Sequence, residues 1–141
     1  MESSNLKIYC VTNKKVNFIN KPGYKLAWVG QEKKPEKYVS CDNGDNIYHK
    51  EKFYSELTFH YWYWKNLLKK ENDNNWIGFC QKRRFWLIKR KKITSYDLLK
   101  KFILKKPKNS WKKFDSVLCK PISVKGHKKM KLIKRGWKNI L

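Results

Sequence analysis

The stretch "DNGDNIYHKEKFYSELTFHYWYWKN", Asp42 to Asn66, sets the acids Asp42, Asp45 and Glu56 beside the densest aromatic run of the chain. A packed helix needs the aromatics; it does not need these acids. Asp42 and Asp45 flank Asn43-Gly44. One reading is turn chemistry, with Asp45 or Asn46 starting a helix. The other is a ligand to hydroxyl groups or to a cation, with Asp45 favoured over Asp42. Their i, i+3 spacing differs from a compact Asp-x-Asp cation motif, so no metal site is assigned. Glu56 reads either as an exposed or paired helix residue or as a carboxylate turned to a ligand. Turned inward, it requires a cationic partner. Arg83 and Arg84 stand side by side, and an arginine fork grips phosphate oxygens bidentately. The plainer reading is a solvated pair, or an ion pair with Asp45 or Glu56. Neighbouring side chains on an extended strand face opposite ways, so one arginine would face the ligand and the other a structural partner. Thr12 and Lys14 offer a hydroxyl, backbone amides and a cation, or form an ordinary solvated loop.

These residues need elements to hold them. "LKIYCVT" (residues 6 to 12) alternates in part and reads as a first strand. A turn is expected at "NKPG", Asn20 to Gly23, and a second strand at Tyr24 to Gly30. "QEKKPEKYVSCDNGD" reads as a polar loop, because Pro35 excludes a central strand. A helix starts near His49 to Phe53. Its apolar stripe is expected to be Phe53, Leu57, Tyr61, Trp64 and Leu68, at helical spacing, with the first four packed on the sheet. "WIGFC", Trp76 to Cys80, is a buried-strand candidate. "TSYDLLKKFILKK" opens on a capping-box pattern, Thr94 to Asp97, and closes by Pro107. "FDSVLCKP", Phe114 to Pro121, reads as a last strand, followed by a basic tail over about 122–141 that is a final helix or a frayed end. Alternating strands and helices indicate one α/β domain over 1–141. If its strands are parallel, Thr12 to Lys15, Gly30 to Gln31, Gln81 to Arg84 and Lys120 gather at the carboxyl edge, where such sheets bind ligands.

Composition bounds the partners. The 141 residues carry 35 Lys and Arg against 11 Asp and Glu, a net charge of +24. Charge of this kind attracts nucleic acid, anionic lipid headgroups or a polyphosphate-bearing substrate. Most of the cations are lysines spread through every segment, which argues against base-specific reading by arginine forks. Nucleic-acid binding is expected to be non-specific, through charge only. Cys10, Cys41, Cys80 and Cys119 show no CxxC or zinc spacing, and His49, His60 and His127 complete no metal motif. No apolar run reaches the length of a bilayer span, and the N-terminus lacks the layout of a secretory signal. The expected location is the cytoplasm, including the inner face of the membrane.

The chain resembles the domain of unknown function 4422 family, glycosyltransferase-like proteins of capsular and other surface-polysaccharide biosynthesis. The resemblance rests on ordered blocks: "IYCVTNKK"; "WVG" at Trp28 to Gly30; the Asp42 to Asn66 block; "IGFCQKRRF"; and "FDSVLCKP". It implies a nucleotide-sugar-transferase-like, GT-A-like, mostly parallel sheet with flanking helices. It implies transfer of a sugar from a nucleotide-sugar donor to a polysaccharide, lipid-linked or other glycan acceptor. Asp45 and Glu56 become the candidate catalytic carboxylates. Thr12, Lys14, Asp42, Asn46, Gln81, Arg83 and Arg84 become the candidate substrate-binding residues. Mn or Mg is the cofactor that oxygen ligands in such transferases commonly hold. Gln81 and Lys82 stand where the family usually has histidine and tyrosine, and family members usually continue past the point where this chain stops. An inactive or truncated relative is therefore one alternative, and a basic nucleic-acid-binding module is the other.

Overall fold

Strand β1, Leu6–Thr12, is buried along almost its whole length. Such continuous burial belongs to a central strand of a parallel sheet covered on both faces. In the computed structural model, which describes residues 5–16, 23–71, 73–82 and 84–120, β1 pairs on one side with β2, Tyr24–Trp28. On its other side it pairs with β4, Trp76–Gln81. β3, Val39–Ser40, extends the sheet beyond β2, giving the order β3-β2-β1-β4 with every pairing parallel. The expected α/β fold is thus present as a four-stranded parallel sheet with flanking helices. β3 lies inside the segment read as a polar loop; two residues beyond Tyr38 carry too little pattern to mark a strand.

Side chains alternate across β1. Tyr9 and Val11 face a core containing Ala27, Val29, Cys41, Phe59, Trp62 and Tyr63. On the other face, Ile8 pairs with Gly78, and a Cβ there would meet the Ile8 side chain at 3.1 Å and the Trp86 ring at 3.8 Å. The Trp86 carbonyl accepts from the Leu104 amide at 2.8 Å, and Ile103 and Leu104 are buried.

Two short helices cover the Tyr9 face: α1, Glu51–Tyr54, and α2, Leu57–Asn66. The register expected for them is overturned. Thr58, Phe59, Trp62 and Tyr63 are the buried residues of α2. Phe53 is 79 % exposed, Leu57 58 % and Trp64 55 %, and Tyr61 is half-buried. The cause is a break at Ser55, whose φ of 50° and ψ of −124° end α1 and restart the helix in a new phase. Both stripes have helical spacing. The one chosen lets Phe59 and Tyr63 meet Tyr9, with ring centroids at 5.3 and 5.0 Å.

At the amino end of the sheet, Lys7 Nζ donates to Glu71 at 2.6 Å, and Tyr63 Oη donates to the same carboxylate at 2.8 Å. The third helix, α3, spans Tyr96–Phe102. Its cap is Ser95, which accepts from the Leu98 amide, in place of the expected Thr94; Ser95 holds the extended backbone a cap needs. α3 ends at Phe102, before Pro107, because Ile103 turns extended and bridges Leu87.

The chain divides into two compact units, residues 1–108 and 109–141. In the second, a 3₁₀ turn over Asn109–Lys113 precedes irregular chain to residue 120. The strand expected at Phe114 to Pro121 does not form among its described residues: no neighbour pairs with it, and Phe114 and Leu118 are exposed. The tail over 122–141 and most of the Asn20 to Gly23 turn lie outside the described residues. Among the described residues, no helix is long and apolar enough to cross a membrane.

Candidate functional site

Because every pairing is parallel, the strands' carboxyl ends share one edge. From β1 the chain adds β2 and β3 on one side, then crosses back to place β4 on the other. The reversal leaves a crevice between the ends of β1 and β4, the position where open parallel sheets bind ligands. A cavity of about 170 Å³ lies there, lined by Val11, Thr12, Asn13, Val29, Ser55, Glu56, Gln81 and Lys82.

Thr12 ends β1 and is buried. Its hydroxyl donates to the Lys14 carbonyl at 2.8 Å and accepts from the Lys14 amide at 3.1 Å. The side chain therefore shapes the loop, while the Lys14 side chain stays exposed. The Thr12 carbonyl accepts from the Val29 amide at 3.1 Å, which joins the ends of β1 and β2. Gly30 follows, held where a Cβ would lie 2.6 Å from the Trp28 ring and 3.0 Å from the Asn13 carbonyl oxygen. At the end of β4, the Gln81 carbonyl accepts from the Arg84 amide at 3.0 Å, closing a tight turn that presents Lys82 to the cavity.

Glu56 reaches the cavity through the break between α1 and α2. The Ser55 amide closes α1 on the Glu51 carbonyl at 2.7 Å. The Ser55 and Glu56 carbonyls then accept the first bonds of α2, from the Thr58 and Phe59 amides. A non-glycine residue at positive φ is costly, of order 1 to 3 kcal/mol, and this one sets Ser55 and Glu56 at the cavity wall. Glu56 is half-buried, caps no helix amide and forms no ion pair with another described residue. One turn on, the His60 ring packs against Phe79, centroids 4.2 Å apart and planes tilted by 34°. Burial pushes its imidazole below the ordinary histidine value, against the opposing pull of Glu56.

Of the residues expected to bind or react, Thr12, Glu56 and Gln81 meet at this cavity. The acid loop is engaged elsewhere. Asp45 accepts from Tyr61 Oη at 3.0 Å and lies 3.8 Å from Lys65 Nζ. Its amide and carbonyl bond the Asn66 side chain. Asp42 accepts from the Ser40 hydroxyl, and Asn46 accepts from the Tyr48 amide at 3.0 Å. The Asp45 contacts strap the loop onto the far half of α2, and the Asp42 and Asn46 bonds hold the loop's own shape. Arg84 is exposed, and Arg83 lies outside the described residues. Asn13, Ser55 and Lys82 also line the cavity and were not singled out as site residues. Asn13 and Lys82 fall within the Thr12 to Lys15 and Gln81 to Arg84 segments expected at the carboxyl edge; Ser55 carries no such sequence signal. Among the described residues, no group of three or more His, Cys, Asp or Glu gathers to hold a metal ion. Glu56 is the one carboxylate among the described residues that line the cavity, so this lining does not fit Mn or Mg, and no step is derived through a cation.

No curated protein and no solved structure matches the chain. The family model described as "Domain of unknown function (DUF4422)" matches residues 7–136, which covers β4, all of β1 but its first residue, and the helices between them. The chain belongs to the DUF4422 family, which is linked to glycosyltransferase-like proteins of capsular and surface-polysaccharide biosynthesis.

Proposed function

We propose that the β1/β4 crevice binds the donor of a sugar-transfer reaction, and that the chain is a GT-A-like glycosyltransferase acting from a nucleotide sugar onto a glycan acceptor. The observation that carries this reading is the meeting of Thr12, Glu56 and Gln81 at one cavity, in a chain of this family. Sugar transfer from a nucleotide needs cations or directed donors to offset charge on the departing diphosphate. Lys82 stands at the cavity wall, and Arg83 and Arg84 follow it in the sequence; these three would take the diphosphate. The Thr12 loop, with Asn13, would meet the nucleoside. Glu56 forms no ion pair with another described residue and can accept hydrogen bonds from sugar hydroxyls or a proton from the acceptor hydroxyl. Gln81 can hold a hydroxyl but cannot exchange a proton at neutral pH, so it orients and Glu56 reacts. Asp45 ties the loop to α2, and Asp42 and Asn46 bond within the loop's own segment.

Calorimetric titration with a panel of nucleoside diphosphates and nucleotide sugars, with and without Mn, tests this. At least one ligand should bind. Lys82→Ala should weaken it about tenfold or more, as a charge-assisted hydrogen bond is worth about 1.5 to 3 kcal/mol. Glu56→Gln should retain nucleotide binding and lose transfer. A folded protein that binds none of the panel, or variants that bind and turn over unchanged, would refute the assignment. Binding without turnover in the wild type would favour the inactive relative.

A further inference from the structure

Leu57, Tyr61 and Trp64 recur at helical spacing on the side of α2 opposite its buried residues. Leu68, which follows the helix, is also exposed, as is Phe53 on α1 before the break at Ser55. Single exposed apolar residues are ordinary; a row on one face marks a contact surface. Its surroundings are mainly cationic: Lys52, Lys65, Lys69 and Lys70 are all exposed on the same segments, against the exposed acid Asp45, which accepts from Tyr61 and lies 3.8 Å from Lys65. Lys65 Nζ stands 4.4 Å from the Trp64 ring centroid and 5.8 Å from that of Tyr61. The acids of the two helices, Glu51 and Glu56, are half-buried.

We propose that this face docks on an anionic phospholipid surface. Phe53, Leu57 and Trp64 enter the boundary between headgroups and acyl chains, and the lysines meet lipid phosphates. Charge selects this occupant. A second copy would bring the same lysines against themselves, on chains that each carry +24. A nucleic acid would satisfy the lysines and leave Phe53, Leu57 and Leu68 without an apolar partner. An anionic bilayer satisfies both, and Trp and Tyr with flanking lysines are the composition of helices that lie in that interface. The proposal does not rest on sugar transfer. It has one geometric consequence for the cavity: Ser55 and Glu56 lie between Phe53 and Leu57 in the chain, so docking brings the cavity rim to the bilayer.

The test is flotation of the full chain with vesicles of phosphatidylcholine alone or mixed equally with phosphatidylglycerol. The wild type should float with the anionic vesicles, and part of that binding should survive at about 0.5 M salt, where charge attraction alone is screened. Leu57→Lys separates the mechanisms, because it adds a cation while removing an inserting side chain. It should weaken binding about threefold or more, and Phe53→Ser/Leu57→Ser/Trp64→Ser about tenfold or more. Circular dichroism checks that the variants fold. Leu57→Lys binding as tightly as the wild type or tighter would overturn the proposal, as would a wild type that stays unbound. A concentration-dependent dimer that the triple variant dissolves would also overturn it, by assigning the face to a second copy. Loss of nucleotide binding with vesicle binding intact would count against the proposed transferase only.

Discussion

Phe59 and Leu57 lie two positions apart on α2, and truncating each measures which stripe faces the sheet. Phe59 is fully buried. Its ring centroid lies 5.3 Å from that of Tyr9, 5.3 Å from Trp62, 6.3 Å from Phe79 and 6.4 Å from Tyr63. Phe59→Ala removes all four ring contacts and leaves a void among aromatics that cannot collapse into it. The expected cost is about 3 to 5 kcal/mol, a large share of the roughly 5 to 15 kcal/mol that holds a domain of this size together. Leu57 is 58 % exposed, so Leu57→Ala should stay within about 0.5 kcal/mol. Urea unfolding followed by far-ultraviolet circular dichroism reads both. With a slope near 2 kcal/mol per molar, the Phe59→Ala midpoint should fall by about 1.5 to 2.5 M, and the Leu57→Ala midpoint should barely move. Phe59→Leu, which keeps more volume, should fall between them and guards against a Phe59→Ala protein too unstable to study. A Leu57→Ala cost above about 2 kcal/mol, or a Phe59→Ala cost below about 0.5 kcal/mol, would refute the observed packing.

Gly30→Ala should destabilise by about 1 to 3 kcal/mol through overpacking, because its Cβ would strike the ring of buried Trp28; a denaturant midpoint unchanged from wild type would count against that close approach. His60 titrates below its ordinary value in the fold because burial disfavours its charge. Its unfolded form therefore binds protons more readily, so stability is fully present above about pH 6.5 and is lost as pH falls from there through the folded value. His60→Phe keeps a ring against Phe79 and should flatten that acid limb in melting profiles between about pH 7 and 5; identical limbs would remove His60 as the cause.

The sequence was most informative where one pattern had one solution. Leu6–Thr12 and Trp76–Gln81 are short apolar runs without competing periodicity, and both form strands over nearly the expected residues. Their parallel pairing carries the residues after them to one edge, which is why Thr12 and Gln81 were legible as neighbours although 69 positions separate them in the chain. It was least informative where two solutions had the same spacing. Phe53, Leu57, Tyr61 and Trp64 form as good a helical stripe as Phe59, Trp62 and Tyr63; periodicity counts apolar residues and cannot see which set meets Tyr9. That choice depended on the break at Ser55, a backbone conformation no local residue preference announces. The same break carried Glu56 to the cavity, while hydrogen bonds to Tyr61 and Asn66 held Asp45 at the far half of the helix. Composition and strand pattern thus determined the two central strands and the edge at which Thr12 and Gln81 meet. Only packing across the sheet decided which of the acids beside the aromatic helix reaches that edge, because burial of one aromatic face sets the rotation of the whole helix and of every polar group on it.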